Sequence, residues 1–97
     1  MYALTTFMLS KERKFQLKQL AKEQKVKSRE LIIKAVEHTL SSSEIKFSSE
    51  DAIKDKAYTS LRLPSTLLKR IREFALKKDV SFGRVVRFSV NSLIENN

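Results

Sequence analysis

The chain contains no cysteine and no tryptophan, and only one proline, one glycine and one histidine in 97 residues. Without cysteine there is no disulfide framework and no thiolate metal site. His38, standing alone, rules out a multi-histidine metal site. No apolar run approaches the ~20 residues that a membrane span requires. The opening Met1-Tyr2-Ala3-Leu4-Thr5-Thr6 lacks the charged and long apolar segments of a signal peptide, so the expected location is cytoplasmic, with no membrane partner. A Cys/His or Ser/His/Asp set, a glycine-rich phosphate loop and an acidic metal cluster are all missing. Neither an enzyme nor a cofactor is therefore expected.

Positive charge, by contrast, is abundant. Twenty Lys and Arg face eleven Asp and Glu, for a net charge of +9. The excess is divided evenly between the two ends. Residues 1–41 carry nine basic and four acidic side chains, and residues 58–97 carry eight and three. Residues 42–57, with three and four, are nearly neutral. Two basic segments joined by a neutral connector fit a polyanionic partner.

The same apolar pattern occurs twice. Shifted by 54 positions, Thr5, Phe7 and Leu9 fall on Thr59, Leu61 and Leu63. Leu17, Leu20 and Ala21 fall on Ile71, Phe74 and Ala75, and Val26 falls on Val80. Leu31, Ile32, Val36 and Leu40 fall on Val85, Val86, Val90 and Ile94. Each copy reads as a short alternating run followed by two helical runs. A unit this small cannot bury its own apolar face, so two copies in one chain imply mutual burial. Chain length agrees, because so short a chain buries only ~60–65% of the surface it exposes when unfolded.

In the first copy, residues 4–9 are rich in β-formers and end at Ser10, a potential N-cap. Alternation places Thr5, Phe7 and Leu9 on one face and Leu4, Thr6 and Met8 on the other. A helix over 11–25 carries a narrow stripe of Leu17, Leu20 and Ala21, with Phe15 off it. A second helix, opened by Lys27 or Ser28, buries Leu31, Ile32, Ala35, Val36 and Leu40; Ile33 widens the stripe, so this helix should be the more buried of the two. Ser41-Ser42-Ser43 ends it. Ser48-Ser49-Glu50-Asp51 has the composition to cap a short helical turn around Ala52 and Ile53 within the connector.

The second copy is more regular. Tyr58 to Leu63 alternates, and Pro64 stands where a strand gives way to a helix. Leu67, Leu68, Ile71, Phe74 and Ala75 form the next stripe. Asp79-Val80-Ser81 makes the turn, with Ser81 a potential N-cap, and Val85, Val86, Ser89, Val90, Leu93 and Ile94 form the last buried face.

Leu61-Arg62-Leu63-Pro64, a helix ending in Phe74-Ala75, then Ser81 and an apolar helix resemble the ribbon-helix-helix superfamily of Arc- and MetJ-type repressors. The first copy is similar but degraded, with Ser10, Met8 and Lys27 standing where Pro64, Arg62 and Ser81 stand in the second. Two copies in one chain resemble the tandem members found among regulators of plasmid transfer, viruses and other mobile elements.

The resemblance implies a mostly α fold with a short two-stranded antiparallel β-ribbon. It would be built as β-α-α twice: a first unit over 1–41, a connector over 42–57 and a second unit over 58–97. The expected partner is double-stranded DNA, bound by a pseudo-dimer within one chain that can associate further on the DNA. Pairing across two chains is the alternative.

In this family the outward residues of the ribbon read base edges in the major groove. By matching position these are Tyr58, Ser60 and Arg62 in the second copy, and Leu4, Thr6 and Met8 in the first. Arg62 suits guanine O6 and N7, Thr6 and Ser60 can donate or accept, and Leu4 and Met8 offer apolar contact. Because the two strands differ, the two half-sites should differ. The resemblance also implies phosphate binding at the start of each second helix, by Lys27, Ser28 and Arg29 and by Ser81, Phe82 and Gly83. The lysines Lys11, Lys14, Lys18 and Lys22 read as a solvated face. The expected role is a transcriptional regulator or repressor. The alternatives are an accessory protein of DNA processing, of relaxosome type, and an antitoxin-like protein-binding module.

Overall fold

The computed structural model describes residues 1–42 and 55–96. The potential cap at Ser48 to Asp51 and the turn around Ala52 and Ile53 lie outside the described residues, as does most of the connector. The element order is β1 (Tyr2–Ser10), α1 (Lys11–Gln24), α2 (Ser28–Ser41), β2 (Lys56–Pro64), α3 (Ser65–Lys78) and α4 (Phe82–Glu95). The fold is mostly helical, with four helices and one two-stranded antiparallel sheet. The two strands pair with each other, so neither half of the chain has a sheet of its own.

Both strands run further than the alternating core of the sequence suggested. β1 starts at Tyr2 and β2 at Lys56, so Lys56 and Ala57 belong to the sheet rather than to the connector. The register places Thr6 opposite Ser60, with Leu4 opposite Arg62 and Met8 opposite Tyr58. At this register Phe7, Leu9, Leu61 and Leu63 all face the helices and are buried, while Thr5 and Thr59 on the same face are half-buried. Parity explains it, since alternate strand residues point to opposite faces.

The helices close over that inner face. Leu17 and Ala21 of α1, Leu67, Leu68, Ile71 and Ala75 of α3, and the stripes of α2 and α4 join the strand leucines in one cluster. Val36, Leu63, Ile71, Val85, Val86 and Val90 are fully buried. Each buried aliphatic side chain of this kind contributes ~1.5–3 kcal/mol. As its broader stripe implied, α2 is more buried than α1. Leu20, Leu40, Phe74, Leu93 and Ile94 sit at the edge of the cluster, only partly buried. Phe15, off its stripe, is largely exposed.

The helix ends follow from local chemistry. Ser10 caps α1, its Oγ accepting from Arg13 N at 3.1 Å, and Ser81 caps α4, accepting from Arg84 N at 3.2 Å. Pro64 occupies the N-cap of α3, where its lack of an N–H leaves no donor unpaired. α1 and α3 end alike, with Lys25 and Asp79 in the left-handed region at φ 56°. Val26 N and Val80 N then bond back to Ala21 O and Ala75 O, each at 3.0 Å. This is the six-to-one bond of a Schellman turn, formed here without glycine. No helix among the described residues is long and apolar enough to cross a membrane.

Candidate nucleic-acid interface

The side of the sheet away from the helices is open. Tyr2, Leu4, Thr6, Tyr58, Ser60 and Arg62 are exposed on it, and Met8 is half-buried. Leu4 and Tyr58 keep 67% and 72% of their accessible surface, far more than core leucines retain. At the centre Thr6 Oγ1 and Ser60 Oγ lie 3.1 Å apart and share a hydrogen bond. Lys56 and Arg62 are the only charged residues among those that point outward, and neither strand contributes an acidic side chain. Two outward residues, Tyr2 and Lys56, extend the face beyond the positions chosen from sequence. Carrying the alternation one step past Leu4 and Tyr58 would have found both.

Helix starts lie along both flanks. α2 packs beside β2, and α4 beside β1. On the α2 side the Arg29 guanidinium stands over the Tyr2 ring, 5.5 Å from its centroid. A cation over an aromatic face at that distance is attracted to the ring's negative quadrupole. Ser28 and Arg29 are half-buried, and Lys27 is exposed at the N-cap without a side-chain cap bond.

A pocket of about 160 Å³ joins this helix start to the ribbon. Lys14 and Lys18 of α1, Ser28 and Arg29 of α2, and Thr59 and Ser60 of β2 supply its polar lining. Thr59 Oγ1 is buried there without a hydrogen-bond partner. On the lysine face that the sequence predicts to be solvated, Lys11, Lys18 and Lys22 are exposed and Lys14 is half-buried. Lys14 and Lys18 also line this pocket with Ser28 and the ribbon, a neighbourhood that helical spacing alone does not reveal.

On the α4 side, the Ser81 hydroxyl is engaged in capping and the Phe82 side chain packs against the core. What these two can offer an anion is backbone N–H. Gly83 has an ordinary backbone conformation. A Cβ at that position would meet the Arg87 guanidinium, with Nη1 at 3.0 Å. Within the chain, the missing side chain thus makes room for Arg87, whose Nη1 donates to Met8 O at 3.4 Å. His38, on α2, is exposed.

The arrangement is a two-stranded ribbon with hydroxyl, phenol, guanidinium and apolar groups on its free face, flanked by two helix N-termini. Such a surface can donate to and accept from planar edges along its middle and hold anions along its sides. Comparison with protein-family models, curated proteins and solved structures finds no match.

Proposed function

We propose that the chain is a tandem ribbon-helix-helix protein, a pseudo-dimer within one chain, that binds double-stranded DNA sequence-specifically by inserting its ribbon in the major groove. Its role would be that of a transcriptional regulator. The observation that carries this reading is the outward ribbon face. It is free of acidic side chains, holds Arg62, Ser60, Thr6 and Tyr58, and has a helix start beside each strand. The major groove is ~12 Å wide and admits a two-stranded ribbon. The net charge of +9 supplies long-range attraction to phosphate. Lys27, Ser28, Arg29 and the N–H groups after Ser81 then contact the backbone, and the ribbon reads the bases.

Affinity measured against salt for a selected duplex and for scrambled duplexes tests this reading. Each neutralised phosphate contributes about −0.9 to the log–log slope, so several contacts give a steep fall. A flat response, or equal affinity for every duplex, would sink it. Footprinting across the parent DNA element separates regulation from DNA processing: protection over a promoter supports the former, and protection at a nicking origin the latter.

A further inference from the structure

The register sorts the outward side chains by end of the ribbon rather than by strand. The shift of 54 that superposes the two halves carries Thr6 onto Ser60, and these two residues face each other. They mark the centre. To one side Leu4 stands opposite Arg62, with Tyr2 beyond; to the other Met8 stands opposite Tyr58, with Lys56 beyond. The same shift exchanges the ends, carrying Leu4 to Tyr58, Met8 to Arg62 and Tyr2 to Lys56. Each end therefore has one tyrosine, one aliphatic or thioether chain and one cation, in different slots. Next to the centre, one rung offers a guanidinium and a leucine, the other a phenol and a thioether. Arg29, held over Tyr2, adds a second guanidinium at the Arg62 end; at the other end the shift carries Arg29 to Gly83, whose space the Arg87 guanidinium takes, tied to Met8 O rather than set over a ring.

We propose that the ribbon binds DNA in a single orientation, on a non-palindromic site with a G·C pair under the Leu4–Arg62 rung and a thymine methyl under the Met8–Tyr58 rung. This inference rests on the DNA reading above. The two rungs are four residues apart along a strand, about 14 Å at ~3.4 Å per residue, which spans about four base pairs at a rise of ~3.4 Å. Arginine alone among these four side chains can make two bonds to guanine O6 and N7. Turning the protein end for end puts Met8 and Tyr58 on the guanine and forfeits that fork. A good bidentate pair discriminates roughly 5- to 150-fold, which sets the expected orientation bias.

A tethered cleavage probe tests it. The chain has no cysteine, so a single introduced one is labelled uniquely. Thr66 and Glu12 are exposed, lie in the first turns of α3 and α1 at opposite ends of the ribbon, and are related by the shift. Thr66→Cys and Glu12→Cys, each carrying iron–EDTA, are bound to the duplex selected from a randomised pool. The expected result is cutting on one flank by the first and on the other flank by the second. Equal cutting of both flanks by each probe overturns the proposal. The double variant Met8→Arg with Arg62→Met should reverse the flanks, and Arg62→Met alone should even them out. Unchanged flanks in Arg62→Met overturn the role given to Arg62. A pool that yields no preferred duplex overturns the DNA reading itself, a result distinct from two-way binding to a selected site.

Discussion

Ser89 Oγ lies 2.8 Å from Thr39 Oγ1, a buried hydroxyl pair that ties α4 to α2. Thr39 donates its one proton to Ala35 O at 3.1 Å and accepts from Ser89, whose single proton has Val85 O at 2.9 Å as its alternative acceptor. Neither group is stranded if the other is removed. Thr39→Val and Ser89→Ala should each cost ~0.5–1.5 kcal/mol, the net worth of one hydrogen bond. The double variant should cost less than the two together, since the second change finds the bond already gone. Urea denaturation of the four proteins measures the coupling; strict additivity would mean that the pair contributes nothing.

The strand register makes a sharp stability prediction. Leu63 is fully buried and Leu4 keeps 67% of its surface. Leu63→Ala should cost ~2–5 kcal/mol, and Leu4→Ala should stay within about 0.5 kcal/mol of the parent. Thermal melts of the two variants decide it. The opposite order would mean a register slipped by one residue, which exchanges the faces.

Arg62 is exposed on the outer face and its side chain lies outside the core. Arg62→Ala should leave the fold intact and weaken binding to the selected duplex by ~1–3 kcal/mol, with much less effect on scrambled DNA. Met8→Ala, at the matching place on the other strand, should cost specific binding less, because only apolar contact is lost. Parallel titrations on both duplexes give the comparison. If Arg62→Ala binds the selected duplex as well as the parent does, the ribbon does not read the groove through this side chain.

Lys27 separates stability from binding. It is the N-cap of α2 but makes no side-chain cap bond, whereas Ser10 and Ser81 do. Lys27→Ser should stabilise the fold by ~0.5–1 kcal/mol through a new cap. The same change removes a proposed phosphate contact, so the salt slope should become shallower by about one unit of ~0.9. Denaturation and salt titration of one variant then move in opposite directions. A gain in stability with an unaltered slope would remove Lys27 from the phosphate set.

What the sequence by itself determined was whatever depends on neighbours a few residues apart. Period two in Phe7, Leu9, Leu61 and Leu63 assigned the inner face of each strand. Period 3.6 found the stripes of all four helices, and the capping hydroxyls of Ser10 and Ser81 placed two helix starts. These patterns are local, because a side chain's direction follows from backbone geometry alone. The left-handed turns at Lys25 and Asp79 escaped that reading, since lysine and aspartate carry no glycine-like signal for positive φ. Only the tertiary structure decided which residues meet across the chain. Sliding one strand by two residues keeps every face and changes every partner, so Leu4 opposite Arg62 and Thr6 opposite Ser60 could not be read from alternation. Arg29 over Tyr2, Lys14 and Ser60 lining one pocket, and Ser89 bonded to Thr39 are likewise juxtapositions of distant segments. They depend on how both strands and all four helices share one core, and no stretch of sequence taken alone encodes that packing.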